Sequence, residues 1–314
     1  MKRIPIVIDC DTGTDDAVCI TAALLHSELL DIRAVTCVCG NVGVDKSSRN
    51  TLAVLDFLGS SIPVAVGAYK PLRRELTKAI SHGNTGLGDV VLPESRRRFL
   101  KKPAWDVLYD EAVAAKGALE ILAVGPLTNL ALAITKYPDF AGLIKRITIM
   151  GGALTGGNIT MTGEFNIYND PDAARIVFQS KVELVMVGLD VTLKPRLPAH
   201  VLRSLQLVEG PYANLCYRIL DFMVRRKDEI GGDDPNLHDV IALVAIVAPS
   251  LLVMRNVYVD IETEGELTLG MTVADLHSVT NNAPNVYAAV DIDIDGFWHW
   301  FIELFSRKRK GGKP

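Results

Sequence analysis

Short apolar runs rich in β-branched residues alternate with stretches of helical period over the first two thirds of the chain. The apolar runs cover residues 4–9, 32–38, 62–67, 119–125, 146–152 and 182–188. The amphipathic stretches between them cover residues 15–26, 46–58, 105–116, 128–137 and 171–180. Strands and helices in alternation predict an α/β fold, in which a mostly parallel central sheet carries helices on both faces and is joined by right-handed crossovers.

The last third of the chain has a different pattern. It predicts helices over residues 212–230 and 239–248, strands over 251–261 and 286–292, and a final helix near 296–307. Because we find no internal repeat, low-complexity tract or linker, we expect a single domain over residues 1–314. Its basic end, residues 306–314, is expected to be a disordered tail.

Composition excludes several classes of protein. The chain has 314 residues, of which 49% are hydrophobic and 22% charged, with a formal net charge of −4. These values indicate a folded protein with an ample core and argue against a general nucleic-acid-binding surface. No apolar run reaches the roughly 18 residues of a membrane span, and the N-terminus lacks a secretory signal. We therefore expect a cytoplasmic protein without a nucleic-acid or membrane partner.

The five cysteines indicate reduced thiols rather than a disulfide framework. They are Cys10, Cys19, Cys37, Cys39 and Cys216, an odd number inside apolar segments. No pair of cysteines or histidines has the spacing that would complete a zinc site. Zinc is therefore not expected.

Polar turns follow the predicted strands. They are "DCDTGTDD" (9–16), "GN" (40–41), "GPLTN" (125–129), "GGALTGGN" (151–158) and "GLDVT" (188–192). In an open parallel sheet such turns gather outside the carboxyl ends of the strands, where these folds bind ligands. The sequence therefore predicts a pocket at that edge.

The first of these turns concentrates negative charge. Asp9, Asp11, Asp15 and Asp16 lie within eight positions, although like charges raise one another's pKa. A helix N-terminus would account for Asp15 and Asp16, but not for all four acids. Oxygen donors without organised Cys or His favour Ca²⁺ or Mg²⁺, and flexible carboxylate and carbonyl coordination suits Ca²⁺ better.

The same turn allows another interpretation. Asp-x-Asp after a first strand, followed by Thr-Gly-Thr, also resembles the loop of haloacid-dehalogenase-like phosphatases. That resemblance implies a phosphorylated Asp9, with Mg²⁺ held nearby.

Five motifs together resemble the inosine-uridine-preferring nucleoside hydrolase family. They are the opening turn, "HGNTGLG" (82–88), "AVGPLTNLAL" (123–132), "MGGALTGGNITMTGEFNIYNDPDAA" (150–174) and "HDV" (238–240). The resemblance extends from the first strand to the last helix. It implies an open Rossmann-like sheet with the active site at the carboxyl ends of the strands, and hydrolysis of the N-glycosidic bond of ribonucleosides. We also expect a homotetramer or homodimer.

The resemblance also implies roles for individual residues. Ca²⁺ would be bound by Asp11, Asp16, the main-chain carbonyl of Val124, and Asp239. Asp11 would be the general base toward a Ca²⁺-bound water, and His238 would be the acid toward the leaving base, with a pKa near neutrality. The implied substrate-binding residues are Asp15, Asn41, His82, Met150, Asn158, Glu164, Asn166 and Asp239.

Some positions depart from the family pattern. Thr12 stands where Pro is usual and is expected to relax the loop, and Gly163 stands where Ala is common. The base-facing stretch 220–234 does not present the polar and Tyr positions expected of a pyrimidine-preferring member, so the choice between purine and pyrimidine stays open. The alternatives to a hydrolase are the phosphatase and a non-catalytic Ca²⁺-dependent nucleoside- or ribose-binding protein.

Overall fold

The apolar runs of the sequence form strands of one mixed sheet in the computed structural model, which describes residues 3–230 and 234–306. The strands of this described part are β1 (Ile4–Cys10), β2 (Leu30–Cys37), β3 (Val64–Val66), β4 (Leu119–Ala123), β5 (Ile144–Met150), β6 (Leu184–Val187), β7 (Leu252–Ile261), β8 (Thr272–Asp275) and β9 (Val286–Ile292). The predicted tail lies, from residue 307 onward, outside the described residues.

Helices connect the strands. They are α1 (Thr14–Leu25), α2 (Val44–Phe57), α3 (Ala104–Ala115), α4 (Thr128–Lys136), α5 (Phe140–Leu143), α6 (Phe165–Asn169), α7 (Pro171–Phe178), α8 (Leu189–Thr192), α9 (Ala199–Gln206), α10 (Pro211–Ile230), α11 (His238–Val247) and α12 (Ile294–Ser306). A short 3₁₀ helix, Pro249–Leu251, precedes β7. Within the described ranges, no helix has the length and apolar character needed to cross a membrane.

The order of strands in the sheet is β3-β2-β1-β4-β5-β6-β9-β7-β8. All pairs from β3 to β9 are parallel, and β7 runs antiparallel to β9 and β8. The winding reverses between β1 and β4, and open sheets of this kind bind ligands in the crevice at such a point. The predicted mostly parallel α/β sheet is confirmed.

Both faces of the sheet are covered, which explains the uninterrupted apolar runs of the inner strands. Ile6 and Ile8 of β1 point into a core shared with α1, α2 and α10 to α12, while Val7 points into a second core with α3, α4 and α7. Helix α11 packs between α1 and the strands β5 and β6, and it is buried from Asp239 to Ile246. Its nearly all-apolar sequence follows from that position.

The elements that the sequence did not predict are short. Strand β8 has 4 residues, and α5, α6, α8 and α9 have between 4 and 8. Such elements span too few residues to show a period. One of them, α8, lies in the segment interpreted as the polar turn after β6.

The side chain of Asn129 joins the carboxyl ends of the central strands. Its Nδ2 donates to Asp9 Oδ1 at 2.8 Å and to the Cys37 carbonyl at 3.0 Å, and its Oδ1 accepts from the Ala68 amide at 2.9 Å. The same Asp9 oxygen accepts from the Thr36 hydroxyl at 2.5 Å. Complete burial raises the pKa of Asp9 to about 7. The side-chain amide of Asn129, in the first turn of α4, therefore links this helix to β1, to β2 and to the loop after β3.

We predict that Asn129→Ala destabilises the fold. The substitution removes three buried hydrogen bonds and leaves polar groups unpaired, so the free energy of unfolding should fall by about 3 kcal/mol. Urea denaturation measures this loss. The control is Asn214→Ala on the exposed side of α10, which should change the free energy by less than about 0.5 kcal/mol. Equal stability of the two variants would contradict this role of Asn129.

Candidate active site

A cavity of about 580 Å³ opens at the carboxyl ends of the central strands. Ten of the twelve residues predicted for the site line it: Asp15, Asn41, His82, Val124, Met150, Asn158, Glu164, Asn166, His238 and Asp239. The other two are fully buried: Asp11 lies in the loop between β1 and α1, and Asp16 lies in the first turn of α1. The structure thus brings residues from six separate segments together.

Backbone amides hold the opening loop in place. Asp16, in the first turn of α1, accepts from the amide of Asp11 at 3.2 Å and from that of Gly13 at 2.8 Å. The Asn41 amide donates to Asp11 Oδ2 at 2.5 Å, and the Asn41 side chain donates to Asp16 at 3.2 Å. A Cβ at Gly40 would lie 1.9 Å from Asp11 Oδ2, so only glycine allows this approach. The other oxygen of Asp11, Oδ1, is enclosed and has no hydrogen-bond partner among the described residues.

Three carboxylates meet at the floor of the cavity. Oxygens of Asp15, Asp16 and Asp239 all lie within 4.8 Å of one another. Burial raises the pKa of Asp15 and of Asp16 to about 6, and repulsion from Asp15 adds to the shift of Asp16. Burial, followed by repulsion from Asp15 and Asp16, raises the pKa of Asp239 well above its ordinary value. Such a group could hold a metal ion, and its oxygen donors suit a hard cation.

The predicted ligand set differs in part from this group. Asp11 and the Val124 carbonyl were expected beside Asp16 and Asp239, whereas the cluster itself contains Asp15. The enclosed, unpartnered Oδ1 of Asp11 is a donor that fits a cation. Asp11 also raises the pKa of Asp239 by repulsion, as its close neighbour. The individual metal ligands therefore stay a prediction.

Glu164 caps helix α6 with its side chain. One oxygen accepts from the Asn166 amide at 2.9 Å, and the other accepts from the amides of Ile167 at 3.1 Å and Gly152 at 2.9 Å. Burial raises the pKa of Glu164. The backbone of β5 and α6 thereby fixes a carboxylate in the cavity wall.

Asn166 links the loops that follow β4 and β5. Its Nδ2 donates to the Val124 carbonyl at 3.0 Å and to the Met150 carbonyl at 3.1 Å. Asn158 lies beside it, and its Oδ1 accepts from the Phe165 amide at 2.9 Å. These bonds set the position of the carbonyl that was predicted to bind a cation.

Two histidines lie in the cavity wall. His82 Nδ1 is 3.1 Å from the Thr14 amide and 2.7 Å from the Thr14 hydroxyl. Because a backbone N–H only donates, Nδ1 is the acceptor, and neutral His82 carries its proton on Nε2. His238 Nδ1 lies 2.8 Å from the Thr192 hydroxyl. Burial, with repulsion from His82, lowers the pKa of His238 to about 4, so the expected value near neutrality is wrong for this structure.

Thr12 does not relax the loop, contrary to the sequence-based expectation. Its hydroxyl is 2.6 Å from the Thr51 hydroxyl of α2 and 3.3 Å from Cys10 Sγ. The Thr12 carbonyl accepts from Asn50 Nδ2 at 3.1 Å. Contacts to α2 therefore stabilise the loop in which Pro is more usual.

Asp9 does not line the cavity. It is fully buried, and Thr36 and Asn129 both donate to its Oδ1. The sequence-based grouping of four acids around one cation is therefore wrong for Asp9. A phosphatase would need this carboxylate to reach its substrate, so its burial argues against that interpretation.

The sequence predicted that stretch 220–234 faces the base, but it did not identify the individual residues of that part of the cavity. We define the base-end wall as the lining residues Ile80, Met223, Arg226, Lys227, Asp234 and Asn236. Lys227 forms an ion pair with Asp234, and Arg226 donates to the Ile80 carbonyl at 3.2 Å. Arg226, Lys227 and Asp234 thus place polar side chains in the cavity, although no sequence motif marks them.

Comparison with known proteins agrees with this geometry. Residues 6–299 match the family described as "Inosine-uridine preferring nucleoside hydrolase". The non-specific ribonucleoside hydrolase RihC of Klebsiella pneumoniae is 39% identical over 97% of this chain and 99% of its own length. The pyrimidine-specific ribonucleoside hydrolase RihA of Citrobacter koseri is 41% identical over 94% and 95%. The structure of the purine-preferring ribonucleoside hydrolase from Gardnerella vaginalis superposes with a TM-score of 0.89, at 30% identity over 96% and 98%.

We predict that a divalent cation stabilises this protein, and more strongly at pH 7.5 than at pH 5. Because the folded-state pKa values of Asp15 and Asp16 are raised from 3.8 to about 6, the metal-free fold loses stability as the pH rises from about 4 to about 6. A bound cation reverses that loss. Ca²⁺ at 100 times its Kd should add about 2.7 kcal/mol at pH 7.5.

Thermal unfolding with and without Ca²⁺, at both pH values, measures this effect. Asp239→Asn should abolish the stabilisation, whereas Asp45→Asn, at an exposed position in α2, should keep it. Undiminished stabilisation of Asp239→Asn would rule out the cluster as the cation site.

Proposed function

The chain belongs to the inosine-uridine preferring nucleoside hydrolase family, and we propose that it hydrolyses ribonucleosides to free base and ribose with a Ca²⁺ ion held by its buried aspartates. It is a hydrolase that acts on N-glycosidic bonds. The observation that carries the proposal is the cavity itself, which has buried carboxylates at its floor and two neutral histidines in its wall.

The residues proposed to hold the ion are Asp11, Asp16, Asp239 and the Val124 carbonyl, with Asp15 beside them. Three features support them: the cluster of carboxylate oxygens, the unpartnered Asp11 Oδ1 and the absence of other donor types from that cluster. When bound, the ion would lower the pKa of a coordinated water and would hold the ribose hydroxyls in position. Oxygen ligands of mixed kind favour Ca²⁺ over Mg²⁺.

Asp11 is proposed to be the general base. The Asn41 amide holds its Oδ2, and its Oδ1 is left without a protein partner, so this oxygen can take the proton of the attacking water. Attack at C1′ leaves positive charge on the ribose ring, and the buried carboxylates around it stabilise that charge, by analogy with glycoside hydrolysis.

Asp15, Asn41, Glu164 and Asn166 are proposed to bind the sugar. Each is at most 7% exposed and lines the cavity, and hydrogen bonds to the backbone fix Glu164 and Asn166. A carboxylate has about four lone-pair sites, so Glu164 can accept from a ribose hydroxyl in addition to its three backbone amides.

His238 and His82 are proposed to assist departure of the base by donating a proton or a hydrogen bond to it. Burial lowers the pKa of both imidazoles, so both are neutral at pH 7. Neutral His82 presents its Nε2 proton, since Nδ1 accepts from Thr14. We retain His238 as the proposed proton donor, acting through its imidazolium form and returning to neutral imidazole, because it lines the cavity directly before Asp239, at the start of α11.

We further propose that the reaction serves nucleoside salvage in the cytoplasm. The five buried, unpaired thiols are typical of a reducing compartment. The homodimer or homotetramer stays a prediction.

Release of ribose from inosine, uridine, cytidine and adenosine tests the proposed function. Chelation should abolish ribose release, and Ca²⁺ should restore it better than Zn²⁺.

Asp11→Ala should lower kcat by roughly 10²–10⁴-fold or more, because it removes a positioned base and a proposed cation ligand together. Asp45→Ala is the matched control and should keep the wild-type rate. An Asp11→Ala enzyme within a few-fold of wild type would refute the assignment.

The role of His238 is tested by changing the leaving group. If His238 supplies the proton, His238→Ala should lower kcat for inosine or uridine by roughly 10²–10⁴-fold. It should spare p-nitrophenyl riboside, whose leaving group departs as a stabilised anion. Equal losses on both substrates would show that His238 instead orients Asp239, and the donor would then be His82 or water.

A further inference from the structure

Asn236 is a buried polar residue that the mechanism does not use. It lies in the base-end wall, two residues before His238, and only 9% of it is exposed. Its Nδ2 is enclosed and has no hydrogen-bond partner in the described part of the chain. Leaving a buried amide unpaired is unfavourable, so its presence in a ligand cavity indicates a ligand atom as its partner.

The charged neighbours of Asn236 are already engaged. Lys227 is paired with Asp234, and Arg226 donates from its two terminal nitrogens to Glu229 at 2.8 Å and to the Ile80 carbonyl at 3.2 Å, which leaves only its Nε without a partner. Among the described residues of this wall, Asn236 is the one neutral hydrogen-bonding side chain, and its amide makes no bond to the protein. A neutral donor distinguishes ligands by hydrogen bonding rather than by charge.

We infer that Asn236 recognises the nucleobase, by donating from Nδ2 to the exocyclic keto oxygen at position 6 of a purine or position 4 of a pyrimidine. This inference rests on the proposed function, in which the carboxylates at the floor of the cavity take the ribose and the base therefore faces the base-end wall. An amino group at the same position would place its own N–H donors against the Nδ2 donor of Asn236, and no hydrogen bond could form. Asn236 therefore selects keto bases over amino bases.

The ratio of kcat/KM values for inosine over adenosine, and for uridine over cytidine, tests this role. The wild-type enzyme should have a higher kcat/KM for inosine than for adenosine if it hydrolyses purine nucleosides. It should have a higher kcat/KM for uridine than for cytidine if it hydrolyses pyrimidine nucleosides. Asn236→Leu keeps the approximate volume but removes the donor, and should lower that ratio about 10-fold. Asn236→Asp replaces the donor by an acceptor and should lower it further. Asn214→Leu, at an exposed position in α10, is the matched control and should leave both ratios unchanged.

Each ratio is measured within one variant, so a partial loss of folded protein cancels. For a variant that loses turnover, the Kd values of the free bases, hypoxanthine against adenine and uracil against cytosine, give the same comparison. A lower ratio in either ring class supports the inference. Unchanged ratios in an active Asn236→Leu enzyme overturn it alone, whereas a wild type that hydrolyses none of the four nucleosides overturns the proposed function as well.

Discussion

Mutual repulsion among buried carboxylates is the constraint on which the site depends. Asp11, Asp15, Asp16 and Asp239 are enclosed together, and burial raises the pKa of each. Without a cation such a group costs folding free energy, because desolvation and like charge both oppose ionisation. The carboxylates lie where the winding of the sheet reverses, at the ends of β1 and β4 and the starts of α1 and α11. A positive ligand in the cavity would offset this cost.

Amide groups, rather than cationic side chains, hold these acids in position. Asn41 bonds to two of them, Asn129 holds Asp9 beneath the loop, and Asn166 fixes the Val124 carbonyl. A lysine or arginine in these places would neutralise the carboxylates and compete with a cation. Neutral donors fix the geometry and leave the negative charge available, and Asn236 extends the use of neutral amides to the opposite wall of the cavity.

Much of the fold and of the candidate site could be predicted from the sequence. The order of strands and helices followed from the alternation of periods, and the pocket followed from the position of polar turns after parallel strands. Ten of the predicted site residues do line the cavity, although the role of each stays a prediction. The errors are instructive. Asp9 lies next to the loop in sequence, but the alternation of a strand turns it toward Asn129, and the pKa of His238 depends on burial that no local pattern reveals.

The sequence by itself determined the longer helices and strands, the acidic loop and the family, because period, charge spacing and motif order are local properties of the chain. Only the tertiary structure decided which carboxylates lie together in the cavity, which nitrogen of His82 carries the proton, and that Asn236 Nδ2 has no partner among the described residues. These depend on contacts between segments as distant as residues 14 and 82, or 15 and 239. Burial and distance across the fold set the pKa values and the hydrogen bonds, and neither can be read from neighbours in the chain.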